Sequence, residues 1–114
     1  MNRLTAQGII GEFVFFDHPR AAIVTENPRE VIATFRDLGP DWAPSIASIR
    51  TGSGFPTITF KQGAALFVIT EETARRTAGL RGQLLAFVYL DYDLSPSTDF
   101  YRELAARTKE IIRA

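Results

Sequence analysis

The sequence holds no cysteine. Disulfides, thiolate nucleophiles and cysteine-based zinc sites are thereby excluded. Histidine is nearly absent. His18 is the only one, so a His-rich metal site is excluded as well. Net charge is missing too: Lys plus Arg and Asp plus Glu number 13 each, for a formal charge of zero. That balance leaves no global electrostatic drive towards nucleic acid or a membrane surface. It also weakens repulsion between copies and so favours self-association. No basic-then-apolar leader opens the chain, and no apolar run approaches the about 20 residues that a membrane-spanning helix needs. The expectation is a soluble, cytoplasmic protein with no membrane partner. Internal repeats, low-complexity segments and linkers are lacking too.

What is present is a chain of 114 residues, 46% of them hydrophobic. A domain of this length buries roughly 65% of its unfolded surface, enough for a core without staples. A single α/β domain over residues 1–114 is expected, with a mixed sheet of five or six strands flanked by two or three helices. Its organising stretch is Leu84 to Asp93 (LLAFVYLDYD). A continuous apolar run with an acidic end reads as a strand buried on both faces, the central one of the sheet. Asp91 and Asp93 then lie at its C-terminal edge, where open α/β sheets place ligands.

In chain order, residues 1–8 are frayed or a short helix, and Ile9 to Phe16 (IIGEFVFF) reads as a strand. Pro19 makes DHPR a turn. Ala21 to Thr25 is a second, interior strand. Asn27-Pro28-Arg29-Glu30 is a helix start, with Asn27 as N-cap, Pro28 at the first position and Glu30 reaching back. Val31, Ile32, Phe35 and Leu38 give that helix its apolar face over 28–38, and Gly39-Pro40 ends it. Pro40 to Pro44 is a loop carrying Trp42. Ile46–Thr51, Thr57–Phe60 and Ala65–Thr70 form a meander with turns at Gly52-Ser53-Gly54 and Lys61-Gln62-Gly63. Thr70 caps a short helix over 71–78, and Gly79 and Gly82 bracket a loop. A last helix is expected over 97–113, capped by Ser95 or Ser97, with Phe100, Leu104, Ala105, Ile111 and Ile112 as its stripe. The expected core is Val24, Ile32, Phe35, Phe67, Val68, Leu85, Phe87, Tyr89, Leu104 and Ile111.

Four constellations bear on chemistry. A phosphate cradle needs Gly-x-x-x-x-Gly-Lys followed by Ser or Thr. No such string occurs, and Gly52-Ser53-Gly54 reads as a hairpin turn. Phe87 to Asp91 has the form of a Walker B strand, four apolar residues presenting a carboxylate to hydrated Mg²⁺. Asp91 and Asp93 together are a candidate divalent-metal site, with Asp17 or Glu26 as further carboxylates. The competing reading, which the sequence favours, is a strand that ends in a polar loop capping the next helix. His18 beside Pro19 reads as a surface turn residue rather than a catalytic base. Arg75, Arg76 and Arg81, with Lys61 and Arg50, are a candidate nucleic-acid patch; solvated side chains are the plainer account.

The order of these pieces resembles a family. A strand at Ala21 to Asn27 leads into a helix. A meander contains Thr57-Ile58-Thr59-Phe60-Lys61-Gln62-Gly63. Arg81-Gly82 then precedes an apolar strand ending in Asp91. Over residues 21–113 this resembles the ATPase domain of phage terminase large subunits and related helicase-type P-loop motors. The chain departs from that family in lacking Walker A and in placing Tyr92 where a motor carries its catalytic Glu. The resemblance therefore implies a remnant motor fold, of phage or mobile-element origin, without ATP hydrolysis. Three functions follow as expectations. The first is a non-catalytic protein-interaction or self-assembly module without cofactor, using surface aromatics such as Trp42, Phe55 and Tyr101. The second is a divalent-metal-dependent phosphoryl-transfer or nuclease-like enzyme at Asp91 and Asp93, with Mg²⁺ as one candidate ion. The third is a nucleic-acid-binding accessory protein using Arg75, Arg76 and Arg81.

Overall fold

Ala21, Ala22, Ile23 and Val24 are all sealed from solvent in the computed structural model, and the other elements are laid around them. The structure describes residues 1–52, 54–76 and 84–113, with Arg76 described by its backbone alone. Strand β1 (Arg20–Val24) carries those four residues. It pairs in parallel with β4 (Ala65–Ile69) on one side and with β5 (Val88–Leu90) on the other. Parallel neighbours on both sides and helices on both faces account for its unbroken apolar run. Beyond β4 the sheet turns antiparallel through β3 (Thr57–Phe60) and the edge strand β2 (Ile46–Arg50). Beyond β5 lies β6 (Ile111–Arg113), parallel to it. The order β2-β3-β4-β1-β5-β6 is the mixed α/β sheet expected from sequence.

Four α-helices are present among the described residues: α1 (Arg3–Phe15), α2 (Pro28–Arg36), α3 (Glu71–Arg76) and α4 (Asp99–Ala105). Strand alternation divides their work. Ala21 and Ile23 face one core together with Ile9, Ile10 and Phe13 of α1 and Val31, Ile32 and Phe35 of α2. Ala22 and Val24 face a second core with Phe100 and Leu104 of α4, and Ala74 of α3 packs against its edge. No helix among the described residues is long and apolar enough to cross a membrane.

The start of α2 is as the sequence predicts. Asn27 Oδ1 accepts the Glu30 backbone N–H at 3.3 Å, Pro28 opens the helix, and Gly39 follows its end at φ +86°. The meander is also as expected, with Gly63 at φ +93° closing the tight turn between β3 and β4. The short helix after β4 begins at Glu71, and Thr70 Oγ1 accepts the Thr73 N–H at 2.9 Å. The loop expected at Gly79 and Gly82, like Ser53, lies outside the described residues.

Three expectations are corrected. First, Ile9–Phe16 is not a strand. Its residues up to Phe15 belong to α1, which Asn2 caps by accepting the Thr5 N–H at 2.8 Å, and Phe16 follows the helix in extended conformation. Ala6, Ile9, Ile10 and Phe13 are its buried face, at i, i+3, i+4 and i+7. Phe13 anchors that face, stacking on Phe60 with ring centroids 4.4 Å apart. Second, the last helix does not run to residue 113. Thr98, not Ser95 or Ser97, caps it, its hydroxyl accepting the Tyr101 N–H at 3.3 Å, and it stops at Ala105. Ile111 and Ile112 pair instead with Val88 and Tyr89 as β6. Both are β-branched and suit a pleated edge, and ladder bonds to β5 outweigh their place in a helical stripe. Third, β5 is shorter than Leu84–Asp93 and is not central, since β1 and β4 hold the middle of the sheet. Of the expected core, Phe67 and Ile111 are only partly buried and the other eight are buried.

Candidate functional site

The four parallel strands end on one edge of the sheet, and their successors meet there. Thr25 and Glu26 follow β1, Thr70 and Glu71 follow β4, and Asp91 and Tyr92 follow β5. Thr25 is the one buried polar side chain among the described residues. Its hydroxyl donates to Asp91 Oδ2 at 3.1 Å and accepts the Asn27 N–H at the same distance. Its own N–H donates to the Ile69 carbonyl, and the Asp91 N–H donates to the Val24 carbonyl, each at 2.9 Å. One threonine thus ties the ends of β4, β1 and β5 to the cap of α2.

The N-terminal end of α1 closes the same corner. The Met1 α-amino group lies 3.1 Å from Glu30 Oε1 and 3.7 Å from Asp91 Oδ2. The Thr34 hydroxyl donates to the Met1 carbonyl at 3.1 Å. The positive pole of a 13-residue helix therefore stands beside the acidic end of β5. Asp91 is mostly withdrawn from water, its side chain 15% exposed.

Next to this corner opens a cleft of about 610 Å³, lined by Thr25, Glu26, Thr70, Glu71, Glu72, Arg75 and Tyr92. Glu71 Oε1 pairs with Arg75 Nη2 at 2.8 Å. Burial pushes the Tyr92 hydroxyl above its ordinary pKa of 10.0, and the Glu71 and Glu26 carboxylates push it further.

The residues singled out from sequence fall unevenly on this map. Asp91 is at the strand edge as expected. Asp93 lies past a bend at 91–92 and is exposed, so strand alternation does not carry the two carboxylates to one face. Asp17 precedes β1 and Asp91 follows β5. Because those strands are parallel, the two carboxylates sit at opposite ends of the sheet. Glu26 alone joins the Asp91 edge. Among the described residues, no group of three or more His, Asp or Glu side chains is arranged to hold a metal ion. Arg75 stands in the cleft, tied to Glu71. Lys61 follows β3, at the end of β4 away from α3, so Lys61 and Arg75 do not share a patch. The Arg76 side chain and Arg81 lie outside what is described.

The aromatics also redistribute. Trp42 packs on the first core, and Phe55 and Tyr101 pack on the second. Phe55 meets Phe67 edge-on at 5.4 Å. The exposed aromatics are Phe15 (80%) and Phe16 (58%), at the end of α1 and beside exposed Val14. Leu4, 79% exposed, lies near the other end of the helix. Sequence reasoning missed these because it read the segment as a strand. The signal was in the spacing: Leu4, Gly8, Gly11 and Phe15 recur at i, i+4, i+7 and i+11, one helical stripe opposite the buried one.

Comparison of the chain with family models, with curated proteins and with solved structures finds no match in any of the three.

Proposed function

We propose that this chain is a protein-interaction module, built on a remnant P-loop-type frame, that docks through the outer face of α1. The observation that supports the reading is the apolar character of α1 on both sides. Its inner face fills a core, and its outer face still exposes Leu4, Val14 and Phe15, with Phe16 just beyond. Exposed patches of this kind mark contact surfaces. The test is a benzophenone side chain placed at position 15, with position 103 on the exposed side of α4 as control. Irradiation yields a protein–protein adduct from position 15 and none from position 103. Equal or absent adducts at both positions refute the reading.

A second reading rests on the strand edge. The Asp91 carboxylate lies there beside a cleft lined by Glu26 and Glu71, and these carboxylates suit a divalent cation that replaces the Met1 α-amino group as the counter-ion of Asp91. Under it, Mg²⁺ or Mn²⁺ raises the melting temperature of the chain and ceases to do so in Asp91→Asn. A melting temperature indifferent to either ion removes it.

A further inference from the structure

We infer that the partner covering α1 is a second copy of this chain, with the two α1 helices packed antiparallel across a two-fold axis. This rests on the interaction reading and names its partner. The outer stripe reads large, small, small, large: Leu4, Gly8, Gly11, Phe15. Residue numbers in the pairs Leu4 with Phe15 and Gly8 with Gly11 have the same sum. A two-fold axis between Gly8 and Gly11 therefore sets Leu4 of each copy against Phe15 of the other and glycine against glycine. An isologous interface needs such a surface, complementary to itself when reversed.

The glycines set the approach. A Cβ added at Gly8 meets nothing within 4 Å, and one at Gly11 meets only the Phe15 ring at 4.0 Å. The monomer does not require either glycine for space. Two backbones pressed together at mid-helix do, while the large residues at each end lock around them. Val14 and Phe16 flank the stripe. Leu4 and Phe15 make the contact and Val14 and Phe16 lie at its margin; complete burial of all four on both copies removes at most roughly 1,000 Å² from water, about the least that a specific interface needs. An interface this small suits a reversible, concentration-dependent dimer rather than an obligate one. A formal charge of zero puts little repulsion between copies.

The test is sedimentation equilibrium of the full chain, from low micromolar to near-millimolar concentration. The wild type passes from monomer to dimer over that range. Gly8→Leu is monomeric throughout and melts no lower, because a Cβ at that position meets nothing within 4 Å in the monomer and leucine is the better helix former. Phe15→Glu is also monomeric. Direction is read with cysteines, which the chain otherwise lacks. Leu4→Cys mixed with Phe15→Cys gives a disulfide-linked pair, whereas Leu4→Cys alone does not link. In an antiparallel pair its two copies stand about 16 Å apart along the axis. A dimer that survives both Gly8→Leu and Phe15→Glu overturns the inference, as does self-linking of Leu4→Cys. A wild type that stays monomeric, with position 15 forming adducts to a different protein, overturns the inference and leaves the interaction reading standing. A monomer with no adducts overturns both.

Discussion

Replacing Thr25 with Val removes one oxygen and almost no volume, and it strikes the point where three strand ends meet. The side chain is 2% exposed, so water cannot take the hydroxyl's place. Two bonds are lost. The bond to Asp91 Oδ2 is charge-assisted and is worth about 1.5–3 kcal/mol. The bond from the Asn27 N–H leaves a donor without its partner, for about 1 kcal/mol more. Valine recovers part of this through its methyl group and its β-propensity. A net loss of about 2–3 kcal/mol is expected. With a urea m-value of about 1–3 kcal/mol/M for a small domain, the midpoint falls by about 0.7–3 M. Thr25→Ser keeps the oxygen and restores most of the loss. A double-mutant cycle of Thr25→Val with Asp91→Ala gives a coupling of about 1–2 kcal/mol, since each change removes the same bond. Urea melts followed by far-UV circular dichroism supply all four corners. A Thr25→Val variant within about 0.5 kcal/mol of wild type, or a cycle with no coupling, refutes the claim that this hydroxyl ties the strand edge together.

Three further outcomes are expected. Phe13→Ala empties a site that is 2% exposed and stacked on Phe60, and lowers stability by about 3–5 kcal/mol in the same assay. Gly63→Ala forces an L side chain to φ +93° and costs more than about 1 kcal/mol although its Cβ meets no atom; Gly8→Ala, at a helical position, costs nothing. Tyr92 ionises above its ordinary pKa of 10.0, by burial first and then by Glu71 and Glu26. Glu71→Gln brings that ionisation down, read as tyrosinate absorbance. Since the folded pKa is the higher one, the contribution to stability is full below pH 10 and is lost as pH rises through the folded value.

Much of the frame was legible locally. The α2 cap is a run of four residues with a defined geometry, and Asn27, Pro28 and Glu30 take the places their chemistry prescribes. The strands Ala21–Val24, Thr57–Phe60 and Ala65–Ile69 announce themselves by apolar or alternating runs between turn residues. The acidic edge at Asp91 was also legible, because a buried parallel strand must end in polar residues. Its partners were not. Thr25 stands 66 positions from Asp91, and nothing near either residue says they meet. The α1 helix was hidden for the opposite reason. Period detection depends on contrast between faces, and here both faces are apolar, with phenylalanine and isoleucine suggesting a strand.

By itself, then, the sequence determined the α/β class, the helix start at Asn27, the meander and the location of an acidic strand end. These depend on capping chemistry, turn residues and hydrophobic period, which act over a few neighbouring positions. Tertiary structure decided the rest. It made Ile111–Arg113 a strand, because β5 offered an unpaired edge that a helix could not satisfy. It made β1 the centre of the sheet, because α1, α2, α3 and α4 close over both of its faces. It also left Leu4, Val14, Phe15 and Phe16 facing outward, because the inner face of α1 was already filled by Ala6, Ile9, Ile10 and Phe13.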